Sequence, residues 1–257
     1  NVKLEDYFKN NQFAVNSYKD KYCLNEQEKE YPAQAFKRVC DSIASTEITE
    51  ELRTYWSNRW LWEIWNDWWK PAGSIMQGAG NSKKISLSNC TTIDIKDDSL
   101  EEIFESGKRI AKAAAYRQGL GTDISILRPK GAEVGNSAKY STGSIEWMKW
   151  LNNIGSHVGQ KGRIPAMLYS TNIKHPDVLD FIKSKSNLNA VQNANISVQI
   201  TDVFMEAYEE DKNWELYFNI KNGQQIIKQN IRAKELMTLL STEANNYAEP
   251  GVQFIDT

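Results

Sequence analysis

Apolar side chains along this chain follow two rhythms, one helical and one alternating, and the order in which they occur predicts the fold. From Thr49 to Trp69 they fall at Leu52, Tyr55, Trp56, Trp60, Leu61, Ile64, Trp65 and Trp68, a three-and-four spacing that suits one face of a helix. Large apolar residues on such a face are mostly packing, so this helix is expected to turn its tryptophans into a core rather than offer them as a stacking platform. It closes at Lys70-Pro71-Ala72-Gly73, where proline cannot continue a helix, and a boundary is expected at Pro71. The predicted organisation is a helical region over residues 1–70 followed by a second region over 71–257.

In the second region strand-like and helix-like stretches alternate. Ser82 to Ile95 leans towards strand, and Asp97-Asp98-Ser99 then caps a helix with apolar positions Leu100, Ile103, Phe104, Ile110, Ala111 and Ala114. A glycine-rich loop at Gly119 and Gly121 leads to a strand predicted from Ile124 to Leu127 and a small, polar segment from Gly131 to Thr142. Gly143 to Ser156 reads as a helix, Ile164 to Tyr169 as a buried strand, and Pro176 to Lys183 as a short helix opened by proline. Asn195 to Thr201 alternates like a strand, and Asp202 caps the helix after it. Trp214 to Ile220 and Gln225 to Ile227 form a hairpin about Asn222-Gly223, since Asn-Gly supplies the positive φ angles of a tight turn. A helix from Ile231 to Tyr247 and a strand from Val252 to Ile255 complete the pattern, which argues for an α/β barrel or layered sheet.

Composition narrows the class without naming a partner. Of 257 residues, 40% are hydrophobic and 25% charged, and 31 Lys and Arg nearly balance 33 Asp and Glu. That favours a globular chain over a disordered one and gives no basic surface for nucleic acid. Cys23, Cys40 and Cys90 lack the paired spacing of a zinc site or a secreted disulfide scaffold. No apolar run approaches a membrane span and the polar start is unlike a signal peptide, so a cytoplasmic protein is expected. His157 and His175 have no partner at metal-ligand spacing; both are read as helix-end or hydrogen-bonding residues, and no metal is assigned.

Residue types alone leave the candidate chemistry open. A lone cysteine such as Cys90 is more often a buried small hydrophobe than a reagent. Asp98 and Ser99 read as a satisfied N-cap, and Gly159-Gln160-Lys161-Gly162-Arg163 as a basic surface turn. Several separate segments change the weighting. They are Pro71 to Ile75, Ser88-Asn89-Cys90 followed by Asp98-Ser99-Leu100, GLGTDISILRPKG from Gly119, NSAKYSTGSIEWM from Asn136, GQKGRIPAMLYS from Gly159, HPDVLDFIKSK from His175 and NANISVQITDVFMEA from Asn193. In this order they resemble the large, catalytic subunits of ribonucleotide reductases, and their wording is most similar to the adenosylcobalamin-dependent type.

The resemblance implies a fold and a set of roles. The fold is an N-terminal helical region followed by the first half of a ten-stranded α/β barrel. Cys90 corresponds to a redox cysteine that reduces the ribose and pairs in a disulfide with a cysteine much further along. Ser74, Asn89, Cys90 and Gly119 fall where the family holds the substrate, and Asp98, Ser99 and Arg128 where it holds a deoxynucleoside triphosphate effector. Arginine suits a phosphate because its planar fork gives charge-assisted, bidentate hydrogen bonds. Lys161 and Arg163 lie in a loop that reports effector identity to the substrate base. The implied cofactor is adenosylcobalamin, or else a radical-generating diiron or dimanganese small subunit, with none bound by this chain alone.

The family's radical loop, Asn-x-Cys-x-Glu, is expected shortly beyond a segment like Pro250 to Ile255 and does not occur in this sequence. The chain is therefore expected to be inactive alone and to need the C-terminal half of the barrel as a separate chain or excised portion. A homodimer or a small subunit is a further expected partner. The competing reading is a non-catalytic nucleotide-binding or assembly module built on the same barrel.

Overall fold

The computed structural model describes residues 3–24, 30–158, 165–186, 191, 193–219 and 225–256, the stretch 225–228 as backbone only. The chain divides into two compact units, residues 1–89 and 90–257. In the first, α1 (Leu4–Tyr7), α2 (Gln12–Lys21), α3 (Pro32–Ala44), α4 (Glu50–Trp65) and α5 (Gly73–Gly78) enclose Val15, Ala35, Phe36, Val39, Cys40 and Ile64. Arg38 on α3 pairs with Glu30 at 2.8 Å and donates to the carbonyls of Met76, at 3.1 Å, and Ala79. Those carbonyls at the end of α5 have no partner inside their own helix, so Arg38 supplies it. Arg38 thus ties α5 to α3 within this unit.

α4 forms where the periodicity places it, with Thr49 accepting from the Leu52 N–H at 3.2 Å as its N-cap. Its tryptophans reach the core only in part, Trp60 packing half-buried against it and Trp65 meeting Phe36 at 6.4 Å, which corrects the expectation that they all turn into the core. Within α4 only Ser57 and Ile64 are fully buried, while Trp62 is 50% exposed and Trp68, just beyond the helix, 63%. The reason is geometric: the apolar side chains spread around the whole circumference of α4, and the packing against α3 covers one side of it. The rings also pack on one another. Trp56 stacks on Trp60 at 5.5 Å, Trp62 meets Trp68 edge to face at 4.9 Å, and the Arg59 guanidinium lies over both of the latter.

The second unit is an α/β array. Its strands are β1 (Cys90–Thr92), β2 (Gly119–Asp123), β3 (Met167–Asn172), β4 (Ala194–Ile200), β5 (Asn213–Asn219), β6 (Gln225–Arg232) and β7 (Gly251–Phe254). Its helices are α6 (Leu100–Ala115), α7 (Ser144–Val158), α8 (Val178–Ile182), α9 (Asp202–Glu209) and α10 (Ala233–Tyr247). The main sheet has the order β1-β2-β3-β4-β7, and every neighbouring pair is parallel. Each parallel pair needs a crossover, which α6, α7, α8 and the stretch from α9 through the β5–β6 hairpin to α10 provide. β3 and β4 are buried along most of their length, as befits strands covered on both faces, and they join Ile110, Leu151, Phe181 and Phe204 in one core. This is the α/β architecture expected of a partial barrel, with β1 and β7 at the sheet's two edges.

Two element predictions shift. Of Ser82 to Ile95 only Cys90–Thr92 is strand, and the strand read at Ile124 to Leu127 lies instead at Gly119–Asp123. Ile124 and Leu127 are fully buried, but from a turn in which the Leu127 N–H donates to the Ile124 carbonyl at 3.0 Å. Their apolarity marks the core without marking a strand. The Asn222-Gly223 turn lies outside the described residues. Phe204 is fully buried and sits edge to face with Trp214 at 5.1 Å, joining α9 to the hairpin. Phe204→Ala is expected to destabilise the second unit by about 3–5 kcal/mol, the usual cost of emptying a buried aromatic site. Urea unfolding followed by circular dichroism checks this, and a loss below about 1 kcal/mol would contradict the packing described.

Candidate functional site

Parallel pairing collects the strand starts at one edge of the sheet and the strand ends at the other, and the predicted site residues described in the second unit divide between the two. At the amino edge, Cys90 opens β1 and stands in register with Gly119, which opens β2. Cys90 is exposed and in no disulfide, and the exposed Asn89 directly precedes it. Ser74 is the second residue of α5 in the first unit, where it is buried. The other two thiols differ from Cys90. Cys23 is half-buried, and Cys40 lies inside the first unit, where burial pushes its pKa up to about 11. A thiol so disfavoured as thiolate is structural.

At the carboxyl edge, Asp98, Ser99 and Arg128 come together. Ser99 is the N-cap of α6: its backbone is extended and its hydroxyl accepts from the Glu102 N–H at 3.3 Å. Arg128 donates through Nε to the Asp98 carboxylate, through Nη2 to the Asp98 carbonyl at 3.1 Å and through Nη1 to the Glu133 carbonyl at 2.9 Å. Burial pushes the Asp98 pKa up, and the hydrogen bonds and charge of Arg128 pull against it. The three bonds to Asp98 and Glu133 draw on three of the five N–H groups of a guanidinium, so two remain for a ligand.

The Asp98–Arg128 pair borders two cavities. One, of about 570 Å³, is lined by the further carboxylates Asp97 and Asp123 together with Asn172, His175 and Gln199. The other, of about 360 Å³, lies against Ser99, Asn136, Tyr140, Ser141 and Trp147. In the first, three carboxylates (Asp97, Asp98 and Asp123) outnumber the two cations Lys174 and Arg128, whereas in the second Asp98 faces Arg128 alone and an anionic ligand also meets hydroxyl and amide donors, an aromatic wall and the positive end of α6. The smaller cavity is therefore the better anion receptor.

His175 and Asp177 were not singled out as site residues, yet both are buried beside this corner. The His175 Nε2–H donates to the Leu127 carbonyl at 2.8 Å, and Nδ1 accepts from the Asp177 N–H at 3.0 Å. Burial lowers the pKa of His175 and favours the neutral ring that this pattern requires. The signal in the sequence is a pair of polar residues, His175 and Asp177, enclosed by the apolar Ile173 and Val178. His157 makes one local contact, Nδ1 to the Asn153 carbonyl at 2.7 Å. Lys161 and Arg163 lie outside the described residues. Among the described residues no cluster of His, Cys, Asp and Glu could hold a metal ion, and no helix is long and apolar enough to cross a membrane.

Comparison with known proteins bears on the same stretch of chain. A family model described as "Ribonucleotide reductase, barrel domain" matches residues 88–257. A vitamin B12-dependent ribonucleoside-diphosphate reductase of Thermoplasma acidophilum is 33% identical over 189 residues, which cover 72% of this chain and 24% of the relative. The ribonucleoside-diphosphate reductase large subunit of Variola virus is 27% identical over 84% of the chain and 28% of its own length. A vitamin B12-dependent reductase of Mycobacterium tuberculosis is 24% identical over 99% of the chain and 37% of its own length. The chain thus spans between 24% and 37% of the length of these relatives.

The Asp98–Arg128 pair carries a stability prediction whose sign follows from burial. Without Arg128 the folded-state pKa of Asp98 climbs further above its unfolded value, so the folded chain keeps a proton that the unfolded chain has lost. Stability then falls as pH rises from the ordinary carboxylate range to the raised value, and levels off above it. Arg128→Ala is expected to lose about 1–3 kcal/mol at neutral pH, the cost of a buried polar group left unsatisfied, and less near pH ~4. Asp98→Asn in the same background removes the slope. Urea titrations at the two pH values test this, and equal losses at both would contradict it.

Proposed function

The chain belongs to the ribonucleotide reductase barrel-domain family, and from that premise we propose that it supplies the first five parallel strands of a barrel that reduces ribonucleotides to 2′-deoxyribonucleotides. The substrate class is a ribonucleoside diphosphate or triphosphate; the relatives' names point to the diphosphate. The observation that carries this reading is Cys90, an exposed thiol opening the first strand beside Gly119, whose lack of a side chain lets a ligand come close. Cys90 and a second cysteine from the remainder of the barrel together give up two electrons and two protons and join as a disulfide. The ribose takes both, its 2′-hydroxyl leaves as water, and a C–H bond replaces the C–O bond.

The edges of the sheet support the need for a complement. Among the described residues β1 and β7 each have one strand neighbour, and Val252, Phe254 and Ile255 in and after β7 expose apolar surface. Exposed edges of this kind attract further strands, so the rest of the barrel, continuous with this chain or separate from it, pairs there. The radical initiator is adenosylcobalamin or a metal-bearing small subunit; when bound, either supplies the one-electron oxidant. The described residues offer no metal-holding cluster.

The corner of Asp98, Ser99 and Arg128 is the effector site in this reading. The two remaining N–H groups of Arg128 and the start of α6 receive the phosphates of a deoxynucleoside triphosphate, and Ser99 and Asp98 face its sugar and base. Lys161 and Arg163 carry effector identity to the substrate base.

Three variants in the completed reductase separate these roles. Cys90→Ser is close in volume and is expected to keep nucleotide binding while abolishing multiple turnover; full turnover would remove Cys90 from the chemistry. Arg128→Ala is expected to cost about 2–4 kcal/mol of effector binding, roughly thirty-fold to nearly a thousand-fold in affinity by isothermal titration. Truncating Lys161 is expected to leave that affinity intact and to scramble which base is reduced in a four-substrate competition.

A further inference from the structure

The segment that carries Arg128 is held at two points, one on either side of the arginine. On the N-terminal side, the carbonyl of Leu127, the residue before Arg128, accepts the His175 Nε2–H at 2.8 Å. On the C-terminal side, the Lys130 N–H donates to both oxygens of the Asp177 carboxylate at 3.0 and 3.3 Å. The same carboxylate accepts from the Ser144 N–H at 2.9 Å and the Ser144 hydroxyl at 2.8 Å, which fastens it to the start of α7. His175 and Asp177 are themselves joined, the Asp177 N–H donating to His175 Nδ1 at 3.0 Å. Every acceptor and donor in this chain of bonds is partnered, and His175, Asp177 and Ser144 are 2%, 7% and 1% exposed, so losing one of these bonds is costly.

The surroundings leave little slack. Gly143 has φ +98°, and a Cβ there would lie 2.9 Å from Lys130 Cβ and 3.0 Å from Asp177 Oδ2. Only glycine allows the chain to pass that close to the carboxylate in that backbone conformation. The far side of the imidazole is closed by Phe218, edge to face at 5.6 Å. Two residues separated by one proline thus reach across from the turn after β3 and bracket Arg128-Pro129.

We infer that His175 and Asp177 are positioning residues that clamp the Leu127–Lys130 segment, so that the Arg128 guanidinium meets Asp98 and faces an anionic ligand in a fixed orientation. The inference rests on the effector-site reading only where it concerns the ligand; the clamp itself is a statement about the segment. A purely structural Asp177, acting as a cap on α7, would stabilise the helix without acting through Arg128. A clamp acts through Arg128, and its loss adds nothing once Arg128 is gone.

The test uses the full chain with its barrel complement and dTTP as the probe. Asp177→Ala and His175→Phe remove the two holds, Ser144→Ala loosens one by taking a single hydroxyl donor from the Asp177 carboxylate, and His175→Gln keeps a donor for the Leu127 carbonyl. The expected result is weaker dTTP binding in the first three and partial recovery in His175→Gln. Combined with Arg128→Ala, none of them lowers affinity beyond Arg128→Ala alone. Amide exchange is expected to speed up over residues 127–144 and to stay unchanged in β3 and β4. Losses that add to that of Arg128→Ala, or exchange that rises evenly across the unit, would overturn the clamp. If Arg128→Ala binds dTTP as tightly as the parent, the effector reading fails by itself. Exchange then decides the clamp, local acceleration supporting it and an unchanged segment refuting it.

Discussion

Parallel pairing is the constraint on which the second unit depends. When all five strands of a sheet run the same way, every connection must carry the chain back to the starting edge, and the helices that do so cover the faces. Buried inner strands such as β3 and β4, and a core continuous from α6 to α10, follow from that requirement. So does the sorting of function: residues that open strands gather at one edge, and the turns that follow strands gather at the other. Cys90 and Gly119 are neighbours because both are first residues of paired strands, and Asp98, Arg128 and His175 are neighbours because each follows a strand end.

At the carboxyl edge a second constraint acts, the cost of a carboxylate held away from water. Asp98 is tolerable there because a guanidinium meets it, and the guanidinium is in place because its backbone is tied down on both sides. The Asp177 carboxylate is satisfied entirely by hydrogen-bond donors, two backbone N–H groups and one hydroxyl, and needs no cation. The two acids thus solve the same problem differently. One keeps a charged partner with N–H groups to spare, as a receptor does, and the other is saturated, as a rivet is.

How much of this the sequence disclosed depends on how local each cause is. The Ser99 cap was legible because its acceptor and donor lie three residues apart, and the helices followed because periodicity is local. The half-barrel, Cys90 and the Asp98–Arg128 corner came from ordered motifs. The tryptophans of α4 misled because spacing identifies a helix without revealing how many neighbours it has. Ile124 and Leu127 misled because apolar residues in a turn can be as buried as those in a strand. The partners of His175 and Asp177 were not legible because they are distant: Leu127 lies 48 positions from His175, and Lys130 and Ser144 lie 47 and 33 from Asp177. No pattern in a single sequence announces a bond across such a gap.

The separation of the two edges has an electrostatic consequence. β2 opens with Gly119 beside Cys90 and closes at Asp123, with Arg128 five residues further on. At about 3.3 Å per residue the strand alone sets the edges roughly 13 Å apart. That exceeds the Debye length of about 8 Å at physiological ionic strength, so in solvent-exposed surroundings the charge of an anion at one edge is largely screened from a ligand at the other. Between charges exposed to solvent at the two edges, a shift of the strands and helices that join them carries further than the field of either charge.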